Sequence, residues 1–162
     1  MNLLKQMQSA PDKTDDIYLM PGGFHFGGPN LRIRTLLGSC VSIVLWHPQR
    51  CIGGMCHYML PDRGDKVRTR LDGRYADEAM LLFLRAIHAN HSSIHEYRAH
   101  MFGAGSMYAS SYCGRGHNAT KSLCQRNIEA GLKLLTRHGL HVAHDHLGGI
   151  GPRRLEFDVA TG

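Results

Sequence analysis

Two apolar runs joined by a four-residue turn constrain this chain more than any other feature. Cys40-Val41-Ser42-Ile43-Val44-Leu45-Trp46 is apolar and β-branched, His47-Pro48-Gln49-Arg50 interrupts it, and Cys51 to Leu60 returns until Pro61 stops it. A continuous apolar run of this kind reads as a buried central strand, so the pair predicts an antiparallel hairpin. Leu31-Arg32-Ile33-Arg34-Thr35 alternates as a half-buried strand does, and Gly38-Ser39 separates it from the hairpin. Ala76, Ala79, Met80, Phe83, Leu84 and Ile87 fall at helical spacing behind the acidic pair Asp77 and Glu78, predicting a helix from Tyr75 to about His88. A second helix is expected from about Lys121 to Arg137, with Gly139 suited to its C-terminal cap. Tyr97 to Phe102, His141 to Leu147 and Leu155 to Val159 complete the expected strands. Several strands with two helices argue a layered α/β or α+β domain.

Residues 1–16 read as a flexible leader and 17–162 as one domain, since 162 residues with 43% hydrophobic content are enough for a single core. Phe24-His25-Phe26 sits between the turn signals Pro21-Gly22-Gly23 and Gly27-Gly28-Pro29-Asn30, and Asp62 to Arg74 reads as a polar, mobile loop. No apolar run approaches the ~18–20 residues of a membrane span, and the N-terminus lacks a secretory core, so no membrane insertion is expected and a cytoplasmic location is. The formal charge of +6 favours acidic partners. The densest basic stretch, Arg63 to Arg74, is interleaved with Asp62, Asp65 and Asp72, and no basic stripe with aromatics appears, which argues against nucleic acid.

An odd cysteine count without a secretory signal implies reduced thiols rather than a disulfide framework. Cys40 follows a glycine-hinged turn at the mouth of a strand, where Gly38 allows tight turning and the Ser39 and Cys40 amides are candidate oxyanion donors. A thiol becomes a nucleophile near neutral pH with help from a base, commonly histidine. His57 lies on the returning strand, and the hairpin brings it back toward Cys40, with Thr35 available to orient the imidazole. With five cysteines and twelve histidines some such pairs arise by chance, so the residues alone favour a buried core cysteine beside a strand histidine. His88, His91 and His95, the cluster His141, His144 and His146, and Cys51 with Cys56-His57 are candidate zinc ligands. No C-x-x-C or H-E-x-x-H motif organises them, so neither metal nor other cofactor is expected. Gly103-Ala104-Gly105-Ser106 and Gly148-Gly149-Ile150-Gly151 fit no phosphate-binding fingerprint and read as loop geometry, with Ser106 and the 148–154 loop candidates to shape a substrate groove. Arg153 and Arg154 read as a solvated basic turn in preference to a carboxylate clamp.

Thr35-Leu36-Leu37-Gly38-Ser39-Cys40-Val41, followed by Gly53-Gly54-Met55-Cys56-His57-Tyr58-Met59-Leu60-Pro61, resembles the chemoreceptor glutamine deamidase family, CheD. Phe102 to Met107, Gln125-Arg126-Asn127-Ile128-Glu129-Ala130, Asp145-His146-Leu147-Gly148-Gly149 and Arg153 to Asp158 resemble later segments of that family, in its order. The resemblance spans roughly residues 17–160. It implies a layered α/β sandwich with mixed sheets and two main helices, similar to the catalytic domain of cytotoxic-necrotizing-factor toxins. It also implies a cysteine-nucleophile amidohydrolase that converts glutamines of methyl-accepting chemotaxis proteins to glutamate, with glutamyl methyl ester hydrolysis as a second reaction. The family's Cys and His map to Cys40 and His57. Strict counting carries its Thr to Arg34, and a one-residue deletion carries it to Thr35, which alone of the two accepts a hydrogen bond from imidazole. Cys124 stands where the family has a glycine. Receptors and a CheC-type phosphatase are the partners implied, and a non-catalytic chemotaxis adaptor is the rival reading.

Overall fold

A computed structural model describes residues 14–162 except 66, 68 and 108–120, and in it the chain forms two sheets and two helices in three layers. Strands β1 (Asp15–Tyr18), β3 (Leu31–Leu37) and β8 (Arg153–Asp158) form a three-stranded sheet in the order β1-β3-β8. Strands β2 (Phe24–Gly27), β4 (Val41–His47), β5 (Ile52–Cys56), β6 (Arg98–Gly103) and β7 (Val142–Leu147) form a five-stranded sheet in the order β2-β5-β4-β6-β7. Helices α1 (Ala76–Ala89) and α2 (Leu123–Arg137) cover one face of the larger sheet. Both sheets mix parallel and antiparallel pairs, β1 running parallel to β3 and β6 to β7. The fold is therefore an α/β sandwich.

The period-two alternation of strands sorts side chains between two cores. Val41, Ile43 and Leu45 of β4 face the helices together with Cys56, Tyr58, Met80, Phe83, Met101 and Leu135. Val44 of β4, Met55 of β5 and Phe102 of β6 turn to the other side, where they meet Ile33, Leu155 and Phe157 of the smaller sheet. That is why β4 reads as an unbroken apolar run: both of its faces are covered. β3 has only its inner face covered. Leu31, Ile33, Thr35 and Leu37 point inward, while outward Arg32 pairs with Asp158 at 3.2 Å and Arg34 with Glu156 at 2.8 Å.

The hairpin forms as expected, but strand β5 ends at Cys56, and Tyr58 continues the pairing only as an isolated bridge to Val41. Between the two expected turns Phe24–Gly27 forms a strand, because Phe24 to Gly27 pair antiparallel with Cys56 to Gly53. Of the expected leader, residues 1–13 lie outside the described residues, whereas Asp15 and Asp16 belong to β1, whose register is set by β3 and whose Asp16 meets Arg34 at 3.5 Å. Helix α2 begins at Leu123 because Ser122 caps it: its Oγ accepts from the Gln125 amide, and the Gln125 side chain accepts from the Ser122 amide. Arg63 and Asp72, at the two ends of the expected 62–74 loop, are tied down, and residues 66 and 68 within it lie outside the described residues. Fully buried Glu78 accepts from Arg63 Nε and Nη2, each at 2.7 Å, and from the Asp72 amide at 2.7 Å. Among the described residues no helix is long and apolar enough to cross a membrane.

Ala104 adopts a left-handed backbone at φ 54° directly after β6, where a side chain costs about 1–2 kcal/mol. Ala104→Gly should therefore raise stability by about 1 kcal/mol, read as a higher urea midpoint at unchanged slope.

Candidate active site

The chain leaves the smaller sheet at Leu37 and enters the larger one at Val41, so Gly38-Ser39-Cys40 is the crossover between sheets. Backbone bonds hold this crossover in shape: the Ala104 amide donates to the Cys40 carbonyl at 2.7 Å, and the Gly105 amide to the Gly38 carbonyl at 2.8 Å. Gly103 makes that approach possible. Its φ is 117°, and a Cβ there would stand 2.2 Å from the Cys40 carbonyl oxygen. Val41 and Tyr58 exchange both backbone hydrogen bonds, at 3.0 and 2.9 Å. Val41 and Tyr58 face the helices, whereas His57 turns to the inter-sheet side, where it meets Thr35 of the smaller sheet. Cys40 and His57 thus each stand one residue before the two members of the Val41–Tyr58 bridge.

His57 and Thr35, from different sheets, are both buried and share a 2.8 Å hydrogen bond between Thr35 Oγ1 and His57 Nδ1. The direction of that bond follows from proton counting. Thr35 has one hydroxyl proton, and Oγ1 donates it to the Leu19 carbonyl at 2.8 Å. The oxygen must then accept from Nδ1–H. In the neutral ring this leaves Nε2 as the basic nitrogen, and Nε2 has no hydrogen-bond partner among the described residues. Arg34 lies on the outer face of β3, held by Asp16 and Glu156, and so takes no part in this cluster.

Burial sets the protonation states. Desolvation holds the His57 imidazole below its ordinary pKa, against an upward pull from its contact with the Leu19 region, so the ring is neutral near pH 7. Desolvation pushes the half-buried Cys40 thiol up, and a hydrogen bond with the Ser39 side chain opposes it. Burial therefore favours the uncharged form of each group. Cys56 is fully buried on the helix side and its thiol is pushed up to about 12, which makes it an inert core residue. Cys124 is buried in that same core, Cys51 lies in the β4–β5 turn, and Cys113 lies outside the described residues.

Gly38, Ser39 and Cys40 form the crossover itself, and among the described residues the Ser39 and Cys40 amides donate to no backbone carbonyl. Ser106 is buried and locks two loops together, its amide donating to the Gly149 carbonyl and its carbonyl accepting from Gly151. Arg153 turns inward, donating to His146 Nδ1 at 3.1 Å and to the Gly148 carbonyl, so it is a loop tie and not a solvated cation. Arg154 stands opposite Leu36 on the outer face. Asn127 carries a contact that motif spacing did not disclose: its side-chain amide donates to the Met59 carbonyl at 2.8 Å. No group of three or more His, Cys, Asp or Glu side chains gathers as metal ligands among the described residues.

Residues 59–162 match the family model described as CheD chemotactic sensory transduction. "Probable chemoreceptor glutamine deamidase CheD 3" of Dechloromonas aromatica is 43% identical over 156 residues, covering 96% of this chain and 89% of that protein. "Probable chemoreceptor glutamine deamidase CheD 1" of Chromobacterium violaceum is 45% identical over 153 residues, covering 94% of this chain and 77% of that one. The protein of the same name in Pseudomonas fluorescens, without a number, is 43% identical over 152 residues, covering 94% and 84%. Among solved structures, Bacillus licheniformis hypothetical protein YfiH covers 87% of this chain and 60% of its own at TM-score 0.43 and 12% identity, a likeness too remote to inform the site.

Replacing Thr35 by Val keeps the shape but leaves Nδ1–H and the Leu19 carbonyl unpaired. Thr35→Val should lower stability by about 1–3 kcal/mol and Cys40 reactivity toward iodoacetamide by about 10²-fold, while Thr35→Ser restores most of both. Thermal melts and alkylation rates at the Cys40 peptide check this.

Proposed function

Because this chain belongs to the CheD family, we propose that it is a chemoreceptor glutamine deamidase, with Cys40 as nucleophile, His57 as general base and acid, and Thr35 as the group that orients His57. The observation that carries the reading is the proton count at Thr35, which leaves the His57 Nε2 lone pair free one residue before the bridge that also follows Cys40. Nε2 takes the thiol proton as sulfur attacks the side-chain carboxamide carbon of a receptor glutamine. The oxyanion of the tetrahedral intermediate is stabilised by crossover amides, those of Cys40 and Ser39 being the candidates, each such donor contributing ~10²–10³ in rate. His57 returns the proton to the departing ammonia. Water then attacks the γ-glutamyl thioester with His57 as base, the C–S bond breaks, and glutamate is released with the thiol restored. The same steps act on a glutamyl methyl ester with methanol as leaving group. The substrates are chemoreceptors, and a CheC-type phosphatase is the regulatory partner that the family suggests. The protein works in the cytoplasm, where the receptor signalling domains lie.

The working form carries one proton shared between Cys40 and His57, so the profile of kcat/KM is bell-shaped. His57 is held low, so activity survives acidification past the ordinary imidazole value near 6.5 before the base is protonated and lost. Cys40 is pushed up, so the alkaline limb falls above the ordinary thiol value near 8.5. A plateau broader than the interval between these values is the expected result of an ammonia-release assay across pH.

The deciding experiment incubates a purified receptor cytoplasmic fragment with wild type, Cys40→Ala and His57→Ala, and reads peptide masses. A gain of about one dalton at defined glutamines with wild type alone is the expected outcome of amide-to-acid conversion. Binding without any mass gain would favour the adaptor.

A further inference from the structure

The segment that carries His57 is held from several directions. The His57 amide donates to the Gly23 carbonyl at 2.9 Å, and its carbonyl accepts from Gly22 at 2.7 Å. Tyr58 is bound to Val41 on both sides, and the Met59 and Leu60 amides both donate to the Arg74 carbonyl. Every one of these ties is backbone to backbone. The Met59 carbonyl differs: it accepts from the Asn127 side chain on α2 at 2.8 Å. The Tyr58 hydroxyl reaches the same helix, donating to the Asn127 backbone carbonyl at 2.7 Å.

The helix is shaped to receive them. Gly131, one turn beyond Asn127, is where a Cβ would stand 2.5 Å from the Tyr58 hydroxyl and 2.4 Å from Met101 Cε, so its missing side chain is the notch that the Tyr58 ring enters. Glycine and asparagine are both poor choices for a helix interior, the glycine by about 1 kcal/mol relative to alanine. Asn127 is fully buried, and its Oδ1 has no partner among the described residues. Only its donor end is in use, and that end grips the residue two places after His57. A device for helix stability would not combine these costs. One turn of α2 therefore fixes the two residues that follow His57, from the face of the sheet opposite to the imidazole.

We infer that Asn127, assisted by Tyr58 in the Gly131 notch, is a positioning residue that sets the imidazole of His57 against Cys40. The inference rests on the reading of His57 as the base for Cys40. A misplacement of reacting groups by about 1 Å costs about 10²-fold in rate while leaving substrate binding intact.

Asn127→Ala and Tyr58→Phe should be compared with wild type by thermal melt, by kcat and KM on a receptor fragment, and by the iodoacetamide alkylation rate of the Cys40 peptide. Folded Asn127→Ala is expected to lose about ten- to a hundred-fold in kcat at unchanged KM, with alkylation slowed in parallel, and Tyr58→Phe to move both in the same direction by less. Tyr58→Phe removes one oxygen and keeps the core volume, so it decides the matter if Asn127→Ala fails to fold. Wild-type kcat and alkylation in the folded variants, a change confined to KM, or a loss that only follows the folded fraction would overturn the inference. Alkylation needs no receptor, so it responds to His57 even if the glutamine substrate has been misassigned.

Discussion

The site depends on a single hydroxyl shared between two sheets. Thr35 Oγ1 donates to Leu19 and accepts from His57, so one oxygen joins the inner face of the smaller sheet, the segment following β1 and the end of β5. In a buried setting, an unmade bond of this kind costs about 1–3 kcal/mol, which gives the arrangement a strong preference for one geometry. It also selects one tautomer, since the hydroxyl proton is already committed. The bond that packs the layers together therefore also decides which imidazole nitrogen carries the proton and which is left with its lone pair.

The remaining geometry follows from where the chain changes sheets. A crossover at Gly38-Ser39-Cys40 leaves its thiol half-buried, while the helix-side thiols Cys56 and Cys124 are sealed in. Gly103 lets β6 lie against the Cys40 carbonyl, and the loops at 103–106 and 148–151 brace each other through Ser106. Burial then favours the uncharged forms of both Cys40 and His57. In the proposed reaction the thiolate forms only as it attacks, with the imidazole taking the proton.

Much of this was legible from residues, and the misses have physical causes. β4 and both helices announce themselves because their apolar patterns match faces that are buried. β1 and β2 do not: Asp15-Asp16-Ile17-Tyr18 and Phe24-His25-Phe26-Gly27 are short and polar or flanked by glycines, and they exist because β3 and β5 offer them backbone partners. Composition gave no sign that a buried Glu78 on α1 holds Arg63 and Asp72, one toward each end of the 62–74 segment. Cys40 and His57 were visible as motif residues, and Thr35 was separable from Arg34 by donor and acceptor chemistry alone. The Asn127 contact was not, because a helix residue gripping a carbonyl 68 positions away leaves no periodic trace.

The Thr35 bond commits the resting His57 to a neutral ring protonated on Nδ1, with Nε2 left without a partner among the described residues. Nitrogen-15 NMR of histidine-labelled protein at pH 7, assigned with His57→Ala, tests it most directly. The expected spectrum has one protonated nitrogen that also couples to the Thr35 hydrogen bond, one unprotonated nitrogen, and loss of this fixed tautomer in Thr35→Val. Two protonated ring nitrogens, the signature of an imidazolium beside a Cys40 thiolate, would contradict it, as would a proton resting on Nε2.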